Sequence, residues 1–585
     1  MRDYGEKQKT IGLIIENLSV DYSKEIIHSV RTAIAGYRDT RLIVLAGDYN
    51  MEDEKKDSRF FAREVNNTVY RLEEELKLDG LILTLPNIGG IRGDDIMNEH
   101  YPNFLRVPKV FISTDVKDAV TVRYDNAVGI RETMDYLVNV KGITRFCMLG
   151  GREDNADAQN RKAIFRQCLE EKKLSFTDDM YEKTDMSINS KSEAARLMER
   201  NADAQAVFCV NDQVAVPLYD VLKERGLMPG KDIQVFGFDN TRFSGNMQPP
   251  LASIGADGIT LGEKAVELLL KKMNGEEVQS VVLPTRLYGK ESLEYEMYEY
   301  TTMEMLRIDP AFVKRMFHDC FYRYASEIKD REAVDLERLF FEFISRMLKS
   351  MLTSSMTAEE FAENKRLIDI FFDNGAMRYT DPARLVRSIE RLQNSMNRSQ
   401  KSIAANQMNN RCFSYMKDKA ILSVADDLDE MRDVAKKARE RLQEFIIRCM
   451  SFGSETPITE ETVIRCYDRL GMTNSALFLF EEPVIYHDGE EVHFPQKIRL
   501  MCSVRDGELR VISKERRLGN TSDMLLRTEL PKSIGYVAIP VFYGRKIYGF
   551  IISEVNESVA DRGEYFAKMF ARSLCLNEAG KGEQA

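Results

Sequence analysis

Few residues in this chain are of a type and spacing that could do covalent chemistry. There is no Walker loop, no GxSxG elbow and no GxGxxG fingerprint. His487-Asp488 is a lone histidine–aspartate pair, and a phosphohydrolase site needs several more metal ligands than that. Only five histidines and nine cysteines occur in 585 residues. The cysteines (147, 168, 209, 320, 412, 449, 466, 502 and 575) are scattered and form no CxxC pair. Zinc sites need closely spaced thiolates and imidazoles, so reduced, buried thiols are expected. These patterns predict a protein that is not an enzyme and holds no metal or cofactor. What remains is polar recognition chemistry: carboxylates that accept from hydroxyls and guanidinium forks that donate.

Such groups must be positioned, and the first 300 residues show how. Short apolar runs alternate with helical patterns. IGLII (11–15) precedes a helix through Tyr37. LIVLAG (42–47) precedes a helix near 59–77, and DGLILTL (79–85) and PKVFIS (108–113) follow. A helix near 129–140 leads to RFCMLG (145–150), then come helices near 157–172 and 190–200 and the strand AVFCV (206–210). A helix over 213–225, IQVFGF (233–238), a helix over 260–274 and VVLPTRLY (281–288) complete the series. Near-continuous apolar strands between helices predict parallel sheets covered on both faces. The expected class is α/β with two lobes, and ligands bind such sheets at the carboxyl ends of their strands.

The order and spacing of these segments resemble the effector-binding core of the lactose-repressor/galactose-repressor family, with its two-lobed periplasmic-binding-protein fold. IGLIIENLSVDYSKEIIHSV is similar to that family's first strand and helix. YDNAVGIRETMDYL (124–137) and DAQNRKAIF (157–165) are similar to two further segments, and AVFCVNDQVAVPLYDVLKERGLMPGKDIQVFGFDN (206–240) matches best. The resemblance implies an interlobe cleft for a small polar effector, sugar-like or nucleoside-like. It places Asp125, Arg161, Asn211 and Asp239 there, with Tyr22 and Phe243 to stack on an apolar ligand face. Two positions depart from the pattern: Ile164 stands where glycine is usual and Lys290 where arginine is common. Read alone, Asp239 with Asn240 and Thr241 would order a turn, and Arg161 would be a solvated helix residue.

Repressors of this family carry a helix-turn-helix before the first strand, and here ten residues precede Ile11. Reading DNA through such a headpiece is therefore not expected, and the net charge of −11 argues against a broad nucleic-acid-coating surface. No export signal and no run of 18 apolar residues is visible, so a cytoplasmic protein without a membrane span is expected. That disfavours a transport binding protein.

Residues 299–411 read as a helical domain. Its stretch 378–411 is locally basic (Arg384, Arg387, Arg391, Arg398, Lys401, Arg411), which is read as a solvated helix face rather than a DNA-binding pair. Residues 412–450 read as a signalling helix. Ile421, Val424, Leu428, Met431, Ala435, Ala438, Leu442, Phe445 and Cys449 follow a 3–4 spacing, the seam of a coiled coil. A parallel homodimer is expected from it. Residues 451–578 resemble a GAF-type α+β domain, with a hairpin at Tyr543–Lys546, and 579–585 form a polar tail. A sensor, a helix and a GAF-like part in this order also suit the sensory portion of a diguanylate-cyclase-type protein, although no GGDEF sequence is present. The domain expected first is therefore 1–298.

Overall fold

The computed structural model describes residues 9–582 apart from 19, 38, 48–59, 85–105, 114–115, 117–118, 154, 257–258, 295–299, 322–323, 325–333, 354, 381, 400–401, 451–463, 466, 468–471, 473, 489 and 529–534. The chain divides into one unit made of 1–294 and 438–585 and a second made of 295–437.

Within the first unit the expected strands form, together with three short ones beyond them. β1 (Lys9–Ile15), β2 (Thr40–Ala46), β3 (Gly80–Leu83), β4 (Lys109–Ile112) and β5 (Thr121–Tyr124) build the first lobe. β6 (Phe146–Gly150), β7 (Tyr181–Lys183), β8 (Ala206–Cys209), β9 (Gln234–Phe238) and β10 (Ala252–Ala256) build the second. The run VVLPTRLY, expected as one strand, is two: β11 (Val281–Leu283) pairs with β5 in the first lobe, and β12 (Thr285–Tyr288) pairs with β10 in the second. Pro284 explains the break, since it has no N–H to give to a ladder. The first-lobe pairs are parallel throughout, and the second-lobe sheet is parallel except at β12.

The chain passes between lobes three times: at Asp125, between β10 and the helix Leu261–Met273, and at Pro284. Two of these crossings are tied together. The Asp125 N–H donates to the Leu283 carbonyl (2.8 Å), and the Thr285 hydroxyl donates to the Asp125 carbonyl (2.6 Å).

The C-terminal part differs most from expectation. β13 (Ser475–Ile485), β14 (Lys497–Arg505), β15 (Glu508–Val511), β16 (Leu518–Asn520), β17 (Tyr536–Tyr543) and β18 (Lys546–Glu554) form an antiparallel sheet backed by the helix Glu557–Gly582. Gly544 supplies the positive φ of the β17–β18 hairpin. This sheet is not separate: β17 pairs in parallel with β2, with Tyr536 opposite Ile43, Val537 opposite Val44 and Ala538 opposite Leu45. A single sheet of 12 strands results.

The side-chain period of two makes that continuity energetic as well as geometric. Leu42 and Val44 join Val537, Ile539, Ile551 and Phe566 in one core, whereas Ile43 and Leu45 join Ala538, Phe550 and Ile552 in the core on the other face. A strand apolar on both faces must be covered on both, and β17 is buried along all but its last residue. Polar links reinforce the joint: Arg31 Nη1 donates to the Val555 carbonyl (2.7 Å) and Lys24 pairs with Asp561 (2.8 Å).

The second unit is helical over Pro310–Cys320, Leu336–Thr353, Ala358–Asp373 and Pro382–Ser399, together with the first part of the helix Ile403–Met450. Its core is aromatic: Phe317, Phe321, Phe340, Phe343 and Phe371 pack edge to face or stacked. The basic stretch is partly absorbed into this unit. The Arg391 guanidinium lies over the Tyr300 ring (3.9 Å), and that of Arg411 over Phe361 (4.7 Å). Lys401 lies outside the described residues.

Candidate functional site

The site is built where strands end. β6 runs into the helix Ala156–Glu171, capped by Asn155, whose side chain accepts from the Ala158 N–H (2.9 Å). Two turns in, Arg161 faces inward and is only 5% exposed. Its guanidinium rests 3.6 Å above the Phe238 ring. Nε donates to Asn126 Oδ1 (3.2 Å), Nη1 to the Val210 carbonyl (2.7 Å) and Nη2 to Asp239 Oδ1 (3.0 Å). The bland reading of Arg161 as a solvated residue is thus corrected. An arginine has five N–H donors, and three are committed here.

Asp239 follows β9 directly. Its backbone N–H donates to the Ile254 carbonyl (2.7 Å), and its φ is +95°. A non-glycine residue held there is strained by about 1–3 kcal/mol, which persists only where the surroundings over-determine it. Arg161 is the one hydrogen-bond partner of its carboxylate among the described residues. Burial raises the Asp239 pKa, and the Arg161 charge opposes that rise. Asp157, half-buried one turn before Arg161, accepts from Asn126 Nδ2 (3.1 Å).

The first lobe contributes phenols. Tyr22, in the first turn of the helix Asp21–Ala35, shares a hydrogen bond with Ser113 at the end of β4 (2.8 Å). Tyr124 ends β5. Burial raises both phenol pKa values, and the Asp239 charge adds to it in each case, while the Arg161 charge opposes it at Tyr22.

Three of the six sequence candidates, Tyr22, Arg161 and Asp239, therefore come together across the lobes. Asn211 stands at the end of β8, but its amide is engaged: Oδ1 accepts from the Val214 N–H (3.1 Å) and Nδ2 donates to the Met186 carbonyl (3.0 Å). Asp125 likewise caps the helix Asn126–Asp135, accepting from the Ala127 N–H (2.9 Å). Phe243 is half-buried on the short turn Arg242–Asn246.

Several residues escaped sequence reasoning. Asn126 bridges Arg161 to Asp157 and Asn160 while 4% exposed. Its only signal was its place beside Asp125 in the segment that carries the resemblance. Asp212 is buried under the Asp239 loop, where it accepts from the Thr241 N–H (2.8 Å), the Thr241 hydroxyl (2.8 Å) and the Ser253 hydroxyl (2.5 Å). Burial pushes it up to about 7, although the charge of Lys290 pulls the other way. The Lys290 departure now has a role: its ammonium donates to Asn240 Oδ1 (3.1 Å) and Ser244 Oγ (2.8 Å), so it secures the same loop. Ile164 is half-buried on the helix that carries Arg161.

No group of metal-ligating side chains occurs among the described residues. The eight described cysteines are free thiols, seven of them buried. No helix among the described residues is long and apolar enough to cross a membrane.

Residues 134–293 match the periplasmic binding protein-like domain family. Catabolite control protein A of Staphylococcus epidermidis is 24% identical over 286 residues, covering 48% of this chain and 80% of that protein. The HTH-type transcriptional regulator DegA of Bacillus subtilis is 25% identical over 297 residues, covering 49% of this chain and 82% of that protein. Among solved structures, a dimeric Lac repressor with a C-terminal deletion aligns with a TM-score of 0.40 and 21% identity over 48% of this chain and 98% of that one. This chain carries a two-lobed domain that is similar, over residues 134–293, to the periplasmic binding protein-like family and, over about half the chain, to regulators of the lactose-repressor/galactose-repressor type.

Proposed function

We propose that this protein is a ligand-sensing regulator that takes a small polyhydroxylated molecule, a sugar or nucleoside, between its lobes. The Arg161–Asp239 pair carries the reading. Asp239 keeps acceptor capacity beyond its bond to Arg161, Arg161 keeps two N–H donors, and Tyr22 and Tyr124 stand on the first lobe with Asp239 among the charges that act on them. A carboxylate that accepts from neighbouring hydroxyls beside a guanidinium that donates to ring oxygen matches a diol. The reading assigns the cleft no catalytic step.

Ligand binding favours the closed arrangement of the lobes, and the output passes through a homodimer to transcription or a signalling partner in the cytoplasm. The two relatives, named as a catabolite control protein and a transcriptional regulator, support regulation as the output. The C-terminal α+β module is read as a GAF-like coupling part.

A thermal-shift screen of sugars and nucleosides tests the reading. A stabiliser is expected, and its shift should vanish in Asp239→Asn, which tolerates the same backbone conformation. A shift that survives in that variant, or the absence of any stabiliser in a broad library, rejects it.

A further inference from the structure

The helix Ile403–Met450 is anchored at both ends and bare between. Cys412, Phe413, Met416 and Ala420 pack into the core of the helical unit. Phe445 and Cys449 pack into the core of the first unit, Phe445 against Phe566 (ring centroids 5.5 Å apart). Over 425–441 every residue whose burial is described is exposed. Just before this stretch Ile421 is 63% exposed, and within it Leu428 is 50% exposed. A helix solvated on all sides has no reason to carry Ile421, Leu428 and Ala435 at coiled-coil spacing.

We infer that this stretch pairs with the same stretch of a second copy running antiparallel. The charges decide the direction. Residues 426–433 hold five acids (Asp426, Asp427, Asp429, Glu430, Asp433) and one arginine (Arg432), and residues 436–441 hold four bases (Lys436, Lys437, Arg439, Arg441) and one acid (Glu440). A parallel pair in register sets acid beside acid and base beside base. An antiparallel pair pivoting near Asp433 sets each acidic half beside the partner's basic half, and its a and d layers stay aligned. Ala435, next to the pivot, lets the two helices approach closely. The β2 edge of the first-lobe sheet is closed to a second copy, because β17 already occupies it.

The inference refines the proposed dimer and needs two copies; it does not depend on what the cleft binds. The 585-residue chain should be dimeric by light scattering, and Leu428→Asp should weaken the dimer at least tenfold. A spin label on Leu422→Cys, off the seam and 57% exposed, reads direction. An antiparallel pair separates the two labels by about 33 Å along the axis (22 residues at 1.5 Å). A parallel pair keeps them within about 20 Å. Leu428→Cys should form no intermolecular disulfide, since the two positions would be about 15 Å apart. A monomer overturns both the dimer and its direction. A dimer with short label distances, a ready 428–428 disulfide, or indifference to Leu428→Asp overturns this pairing alone.

Discussion

At the scale of single residues, the site rests on Arg161 and what it holds. Removing one member of a buried ion pair leaves the other uncompensated. Arg161→Ala should therefore lower stability by about 3 kcal/mol, measured as a shift in the denaturant midpoint without a change in slope. Asp212 sets a pH dependence. Its folded pKa, about 7, lies above that of an unfolded aspartate. Its contribution to stability is thus complete at low pH and falls as pH rises through about 4 to 7. Melting temperatures of the parent and Asp212→Asn should diverge over that window, with the parent losing more as pH increases. A parallel pair of curves would show that Asp212 ionises normally. Arg161 and Asp239 were legible only through the resemblance of the segments that carry them. Asp212 and Asn126 were not, because nothing in a residue's type announces that its neighbours will bury it.

At the scale of elements, most of the strand–helix alternation was legible, since apolar runs with turn residues at both ends have few other readings. β5, β7 and β10 were missed: each is five residues or fewer, and register with neighbours rather than pattern makes them strands. The helix Asp21–Ala35 links several functions. It carries Tyr22 to the cleft, and it packs closely on the helix Leu261–Met273. A Cβ at Gly262 would stand 2.0 Å from Ser29 Oγ and 3.0 Å from Val30 Cγ2. Gly262→Ala should cost about 1–3 kcal/mol through overpacking and should also alter the ligand-induced thermal shift, because Ser29 and Tyr22 ride on one helix. Unchanged stability would mean that the two helices separate freely.

At the scale of the whole molecule, domain boundaries were the least legible feature. The apolar faces of β17 showed that the strand is covered, but not that β2, in the first lobe, is its neighbour. A chain ending at residue 294 should therefore be poorly soluble and bind hydrophobic dyes, since it bares the β2 edge and the faces around Leu42 to Leu45. A well-behaved, dye-silent fragment would show that the joint between β2 and β17 is dispensable.

The same joint has a consequence for how the protein is made. Arg31 and its partner Val555 are 524 positions apart, and β2 waits nearly as long for β17. At ordinary elongation rates of roughly 5–20 residues per second the interval is on the order of a minute. Through that time β2 is an unpaired edge with both faces apolar, the condition under which nascent chains aggregate. The first lobe can settle only after residues 536–538 have left the ribosome. Folding of the first lobe thereby waits for the synthesis of β17, and a chain terminated before it would present the quality-control machinery with a half-built sheet.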